Sequence, residues 1–245
     1  MFNGFHGVLY REIHVFAKKA RKQVLASSLS PLLFLIAFGW GFGKDVTMNG
    51  LPYISFLIPG LLTMATLNQS YGISQEININ RFYFHVFDEY LIAPISHVEI
   101  IIGEAFYGVF RGCISMMLIF LYAFLFEVEL ILHPVFFPAI FIHMFLFSLL
   151  GVTMAMIVQD HGSQASVNTF VITPMVFLCG TFFPVDKLPY AFKVIVHCLP
   201  LTYSTKVIRA SLTGGEINYP YFGLIAAFAV LFFLTALWAL RKVEA

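Results

Sequence analysis

Glu104 and Arg111 are the residues of this chain whose charge and spacing most directly suggest chemistry, because both lie within long apolar sequence. They are seven residues apart, which places them on one face of a helix and about 10 Å apart along its axis. Charged side chains in such positions usually face the interior of a helix bundle or a wet cavity. They could bind the polar headgroup of a passing molecule, or they could lock their helix to a neighbour. We favour the structural ion pair slightly.

The other reactive residue types form no catalytic or metal-binding pattern. The Gly-rich run 39–45 fails as a phosphate-binding loop, since Phe38 stands where that loop needs Gly and Asp45 where it needs Ser or Thr. Four histidines lack the mutual spacing of metal ligands: His133, His143, His161 and His197. The three cysteines form no disulfide framework, although Cys179 and Cys198 could pair as an alternative to free buried thiols. We therefore expect no metal and no cofactor in this chain.

The composition is that of a membrane protein. Hydrophobic residues make up 60% of the chain and charged residues only 11%, whereas a soluble domain has about 25% charged residues. The net charge of +1 and the absence of a basic surface in the sequence disfavour nucleic acid as a partner. Six intervals carry at most one charge and are long enough to cross the hydrocarbon core: 23–43, 46–75, 105–126, 130–159, 161–185 and 217–240. The predicted fold class is an all-α membrane protein with six transmembrane helices.

The N-terminal segment 1–22 has the pattern of a helix lying in the membrane interface. At 100° per residue its apolar residues share one face, and Arg11, Lys18 and Lys22 share the opposite face. A mere membrane anchor is the alternative. The remainder, 23–245, is predicted as one transmembrane domain. Basic residues in both tails place both termini in the cytoplasm by the positive-inside rule, although four basic residues between 187 and 209 oppose that orientation.

The region 180–216 is predicted to form an extracytoplasmic gate. Several prolines interrupt helices there, and Phe182, Phe183 and Pro184 are the candidate gate residues. Non-helical backbone at membrane depth must be shielded by protein or must line a cavity, so we expect re-entrant or interfacial helices. Four residues of the spans are candidates for lining a substrate path, although they are equally ordinary packing residues: Phe56, Asn68, Tyr71 and Met175.

Several short motifs along nearly the whole chain resemble the permeases of type-2 ABC exporters, near the bacterial drug, nodulation-factor and polysaccharide exporters. They are Tyr-Arg-Glu at 10–12, the stretch 52–60 from Pro-Tyr to Pro-Gly, Leu-Ile-Ala-Pro-Ile-Ser at 91–96, the stretch 173–189 and Leu-Pro-Leu-Thr-Tyr at 199–203. The resemblance implies six transmembrane helices, an N-terminal interfacial helix, a cytoplasmic coupling helix and outer helices between the last two spans. It also implies two permease copies with two ATPase subunits.

The resemblance assigns the cytoplasmic loop 78–97 to coupling with the ATPase. Family members often carry a basic, Gly-containing stretch before the Pro-Ile-Ser motif, whereas this chain has an acidic and aromatic one. We expect residues 81–91 to form the coupling helix, with aromatic side chains filling a groove of the ATPase and acidic ones pairing with its cations. The candidate contact residues are Arg81, Phe84, Phe87, Asp88, Glu89, Tyr90 and Leu91. A solvated interfacial loop is the alternative.

The predicted function is the permease subunit of an ATP-driven exporter in the bacterial inner membrane. Its cargo would be an amphipathic or lipid-linked molecule, such as a glycolipid, a polysaccharide or a hydrophobic drug. The chain has no ATPase motif of its own, so a partner ATPase would bind ATP and Mg²⁺. Two copies of that ATPase, a second permease copy as a homodimer, and membrane lipid are the expected partners. An ATP-independent channel or scaffold is the alternative.

Overall fold

The structure, a computed structural model, describes residues 3–41, 46–48, 50–158 and 160–244. It consists almost entirely of helices: α1 Asn3–Phe34, α2 Tyr53–Tyr71, α3 Ile73–Phe82, α4 Val86–Ile92, α5 His97–Leu125, α6 Phe136–Ile157, α7 His161–Val167, α8 Thr173–Leu178, α9 Tyr190–His197, α10 Pro200–Thr213 and α11 Pro220–Glu244. Two π-helical segments, Leu35–Trp40 and Asn168–Ile172, continue α1 and join α7 to α8. A short antiparallel pair of strands, β1 Thr47–Met48 and β2 Leu51–Pro52, precedes α2. The end of the rejected phosphate loop, residues 42–45, lies outside the described residues.

Four helices of the described chain are long and apolar enough to cross a membrane. They are α1 with its π-helical extension (Gly4–Gly39), α5, α6 and most of α11 (Pro220–Lys242). The other two predicted spans correspond to α2 and to the helical stretch from α7 through α8, which carry more polar residues. The structure therefore confirms an all-α membrane protein, and the number of six spans stays a prediction.

The first helix does not break where the sequence analysis placed a boundary. The interfacial segment 1–22 and the first span form one continuous helix from Asn3 to Phe34. Residues 18–26 contain only good helix formers, apart from the β-branched Val24, so nothing in the sequence ends the helix there. The first half of α1 packs its apolar face on α5, where Val8 and Phe16 are buried.

The helix α2 lies at the centre of the bundle. It packs against α5, α6 and α10, and α1 and α11 cover the outer sides of α5 and α6. Close approach requires small residues here: a Cβ added to Gly108 of α5 would collide with the side chain of Ser148 in α6. Such small residues are typical of helix contacts within membranes, where tight packing replaces the hydrophobic effect. One apolar core fills the half of the bundle around α2 and α10, and a second fills the half around α3, α4 and the start of α5.

The turn and the end of the loop 78–97 are explained by backbone conformation and helix capping. Ser96 accepts a hydrogen bond from the Glu99 backbone N–H, and the Glu99 carboxylate accepts from the Ser96 N–H at 3.0 Å, which is a capping box at the start of α5. His85 adopts a left-handed conformation with φ 52°, so the chain turns sharply between α3 and α4. The expected single helix over 81–91 is therefore two helices separated by a turn.

Candidate functional site

Arg111 is the centre of a buried polar hub that joins four helices. Its Nη1 lies 2.8 Å from Oε1 of Glu76 in α3, and its Nη2 donates to Oε1 of Gln69 in α2 at 2.9 Å. The same Glu76 carboxylate accepts hydrogen bonds at 2.7 Å from Gln23 of α1 and from Tyr107 of α5. Arg111 thus ties α5 to the α2–α3 region and, through Glu76, to α1.

Sequence analysis singled out Arg111 but missed its partners. Glu76 stands immediately after the longest charge-free interval of the first half of the chain, and Gln69 precedes it by seven residues on the same helical face. That spacing was the available signal. Helix periodicity shows which residues share a face, but it does not show which neighbouring helix that face meets.

Glu104 belongs to a second polar cluster and is not paired with Arg111. It is buried, and the charged groups that act on its carboxylate are Glu12 and Arg11 of α1 and Glu76 of α3. Arg11 forms an ion pair with Glu12 and donates to the hydroxyl of Tyr90 in α4 at 3.3 Å. The Tyr90 hydroxyl in turn lies 3.4 Å from the Glu12 carboxylate. This cluster therefore links α4 to α1.

The Tyr90 phenol is well suited to hold that link. Its burial, together with the carboxylates of Glu104 and Glu12, raises the pKa of Tyr90 above its ordinary value. The phenol is therefore neutral and able to donate throughout the physiological pH range. The Arg11 guanidinium also lies 5.8 Å from the centre of the Tyr90 ring, which adds a cation–π contact.

Three of the predicted ATPase-contact residues make contacts within the chain, Arg81, Phe87 and the Tyr90 just described, and their contact with an ATPase stays a prediction. Phe87 is only 2% exposed and packs edge-to-face against Tyr90, because α4 turns this side of the helix toward α5 and the second core. Arg81 donates to the carbonyls of Ala155 and Met156 at the end of α6. A cation at a helix C-terminus satisfies free carbonyls and complements the helix dipole.

The exposed part of the loop is the turn between α3 and α4. Phe82, Tyr83 and Phe84, called the aromatic turn below, are 36%, 69% and 67% exposed. Glu89 is exposed on α4. Asp88 and Leu91 lie in α4, but their side chains are outside the described part of the structure.

The predicted gate residues pack into the core beside α2. Phe182 stacks on Phe177 with a centroid distance of 5.2 Å and contacts Phe34 of α1 at 5.1 Å. The hydroxyl of Tyr53 donates to the Phe182 carbonyl at 3.1 Å. Pro184 is buried and Phe183 is half-buried.

Arg209 of α10 fastens this outer segment to α2. Its guanidinium donates to the carbonyls of Gly180 and Thr181 at 2.7 and 3.2 Å, and to the carbonyl of Phe56 at 3.3 Å. It also lies 3.9 Å from the centre of the Phe56 ring. Non-helical carbonyls that would otherwise be unpaired at this depth are thereby satisfied.

Gly60 allows this arrangement, and its replacement provides a test. A Cβ at this position would collide with the Thr181 carbonyl oxygen. We expect Gly60→Ala to displace the outer segment and to lower the melting temperature, because overpacking typically costs about 1–3 kcal/mol. Gly7→Ala is the matched control, since a Cβ on this helical glycine meets nothing within 4 Å. Thermal unfolding of the purified variants measures the difference, and equal melting temperatures would contradict the close contact.

Three of the four candidate path residues lie inside the core of the chain, and their place on a substrate path stays a prediction. Phe56, Tyr71 and Met175 are at most 3% exposed. Phe56 lies under Arg209, and the Tyr71 hydroxyl accepts a hydrogen bond from Gln164 at 3.0 Å. Asn68 is exposed and lines a cleft between α1, α2–α3 and α5. The three cysteines are free, so no bridge joins Cys179 and Cys198.

Comparison with known proteins decides the family. The sequence matches the ABC-2 type transporter family over residues 4–213, which is most of the chain. The chain belongs to the ABC-2 type transporter family. It is 28% identical to the inner membrane transport permease YadH of Escherichia coli strain K12, over 94% of this chain and 91% of that protein. It is 27% identical to nodulation protein J of Rhizobium leguminosarum bv. viciae, over 92% of this chain and 89% of that protein.

Family membership shows in what kind of protein these residues act. ABC-2 permeases are the membrane subunits of transporters, so this chain is a multi-pass membrane protein that takes part in transport across the membrane. The family also implies association with an ABC ATPase. The two polar clusters and the aromatic turn are therefore features of an ABC-2 permease.

Proposed function

We propose that this ABC-2 permease is the membrane subunit of an ATP-driven exporter that moves an amphipathic or lipid-linked molecule out across the bacterial inner membrane. A cytoplasmic ATPase, present in two copies, binds ATP and Mg²⁺, and two copies of this chain enclose the path. Both termini lie in the cytoplasm in this arrangement. Similarity to YadH, named as an inner membrane transport permease, supports the location.

The observation that carries this proposal is the construction of the loop between α3 and α5. Its aromatic turn is exposed, whereas Phe87 and Tyr90 of α4 pack into the second core. Aromatic side chains are enriched where protein surfaces bind each other. The turn thus offers a compact surface to the ATPase, and α4 behind it is held rigidly.

The Tyr90 cluster provides the connection from that surface to the transmembrane helices. A push on the aromatic turn moves α4, and Tyr90 passes that movement to Arg11 and Glu12 of α1 through hydrogen bonds. ATP binding would then shift the population between an inward-open and an outward-open arrangement. The continuous helix α1 carries the displacement from the cytoplasmic end toward Phe34, which contacts the gate residue Phe182.

A site-specific photocrosslinker tests the docking surface. We expect a crosslinking amino acid at Tyr83 or Phe84 to capture an ATPase of the ABC class in native membranes. The matched control is Phe124, which is 80% exposed at the far end of α5 and is expected to react with lipid. Mass spectrometry of the adducts identifies the partner. Capture of the ATPase from position 124 but not from 83 or 84 would contradict the proposed surface.

A further inference from the structure

A polar cleft of about 460 Å³ lies between α1, the α2–α3 region and α5. It extends from Asn68 to Phe84 of the aromatic turn, and the Arg111–Glu76 hub forms part of its wall. Its size falls within the range of about 300–1,000 Å³ that is typical of small-molecule sites. The cleft is thus large enough for a headgroup of one or two sugar rings.

The lining of the cleft is rich in amides and carries no net charge. Five of its side chains are amides: Gln23, Asn68, Gln69, Gln75 and Asn80. An amide offers both donors and acceptors, as does each hydroxyl group of a sugar. The charged side chains of the lining balance, since two cations, Lys19 and Arg111, face two carboxylates, Glu12 and Glu76. The cleft therefore favours neutral, hydrogen-bonding ligands over ions.

Two buried atoms of the lining lack a hydrogen-bond partner among the described residues. One is the donor Nε of Arg111, a residue only 7% exposed, and the other is the acceptor Oε1 of Gln23. Both side chains donate through other nitrogen atoms to the same Glu76 oxygen. A buried polar atom without a partner costs about 1–3 kcal/mol. A hydroxyl group can accept from a donor such as the first atom or donate to an acceptor such as the second.

Aromatic rings complete the site. Of the three rings that line it, Phe84 is 67% exposed and can pack on the C–H surface of a sugar ring, whereas Phe16 and Tyr107 are buried behind the amides. A binding site of this kind combines apolar and aromatic walls with a few polar groups that fix orientation.

We propose that this cleft binds the neutral, hydroxyl-rich headgroup of the transported molecule, that is, a sugar. The inference deepens the proposed exporter function, on which it rests, by assigning a chemical class to the cargo and a place where the headgroup is first held. The sugar can reach the site as part of a glycolipid or as a free saccharide, and the experiment separates these sources.

Binding is measured by native mass spectrometry on the purified chain in phosphatidylcholine nanodiscs. The probe is monoglucosyl diacylglycerol, compared at equal fractions with diacylglycerol and with phosphatidylglycerol. The test variant is Asn68→Leu/Asn80→Leu, which removes two amides outside the hydrogen bonds of the Arg111 hub, and Asn218→Leu in the exposed loop before α11 is its control. At about 1 kcal/mol for each hydrogen bond, the double variant is expected to bind the glucolipid roughly 25-fold more weakly. Methyl glucoside in solution tests the free sugar as competitor.

Preference for the glucolipid, lost in the double variant and kept in Asn218→Leu, would support the site. Competition by methyl glucoside would add that the sugar alone is recognised. Equal binding of diacylglycerol, preference for phosphatidylglycerol, or no bound lipid would overturn the proposal, and the last result would mean that water alone fills the cleft. The assay contains no ATPase, so its failure leaves the proposed coupling untouched. If the purified chain binds the glucolipid but crosslinking in native membranes captures no ATPase, the exporter function is wrong and the sugar site stands.

Discussion

Replacing Arg111 by methionine is expected to lower the apparent melting temperature of the protein by roughly 6–12 °C. The side chain is buried, and its loss leaves the Glu76 carboxylate and the Gln69 amide without their cationic partner. Removing one partner of a buried ion pair costs about 3–5 kcal/mol, and we take the lower end because the Glu76 side chain is 26% exposed. For a chain of this size, 1 kcal/mol corresponds to about 2–4 °C.

Two further variants show whether the loss of stability is specific to the Arg111 hub. Arg241→Met removes an exposed arginine near the end of α11 and should leave the melting temperature unchanged. Glu76→Gln should cost less than Arg111→Met, because the amide oxygen still accepts from the guanidinium and the amide NH₂ group, in place of the other oxygen, can donate to the Tyr107 hydroxyl. Thermal unfolding at one fixed scan rate ranks the variants. A shift below about 2 °C for Arg111→Met would show that the hub does not hold the four helices together.

The second large effect is that substitutions at different positions of one loop should change either the affinity for the ATPase or the stability, but not both. We expect Tyr83→Ala/Phe84→Ala to weaken association with the ATPase by roughly 10- to 100-fold, since aromatic anchors at interfaces often contribute about 2 kcal/mol or more. Both side chains are about two thirds exposed, so the melting temperature should hardly change. Titration of the purified ATPase against the permease in nanodiscs measures the affinity.

Phe87→Ala is the matched control for that variant and should behave in the opposite way. Its ring is buried between α4 and the second core, so truncation should cost about 3–5 kcal/mol of stability. At a temperature where the variant is folded, its affinity for the ATPase should stay within a few-fold of that of the unchanged chain. A large loss of affinity from Phe87→Ala without a loss of stability would mean that α4 presents this face to the ATPase.

The family and the helical fold were predictable because they depend on features that a sequence displays directly. Long charge-free intervals predict the membrane helices, and Ser96 with Glu99 three residues later predicts the start of α5. The role of Arg111 as a buried charge was also predictable, since a cation in apolar sequence must find a polar environment. These inferences need only local sequence and the properties of the bilayer.

The sequence could not show which side of each helix packs against which neighbouring helix. Aromatic residues occur both in α4, at Phe87 and Tyr90, and in the turn before it, so the sequence does not tell which of these two groups meets a partner. Glu76 bonds to both Arg111 and Gln23 only when α1, α3 and α5 are packed together. The same limit explains why Phe56, Tyr71 and Met175 resembled path residues, because apolar and aromatic side chains serve cores and cavities alike.

Purification of the tagged chain from its native membranes in mild detergent tests the central claim most directly. Quantitative mass spectrometry then measures the proteins that accompany it. We predict an ABC ATPase in a ratio of one copy for each permease chain, lost when Tyr83 and Phe84 are replaced by alanine and retained with Gly7→Ala. Recovery of the unchanged chain without any ATPase, even after crosslinking from positions 83 and 84, would contradict the proposed coupling.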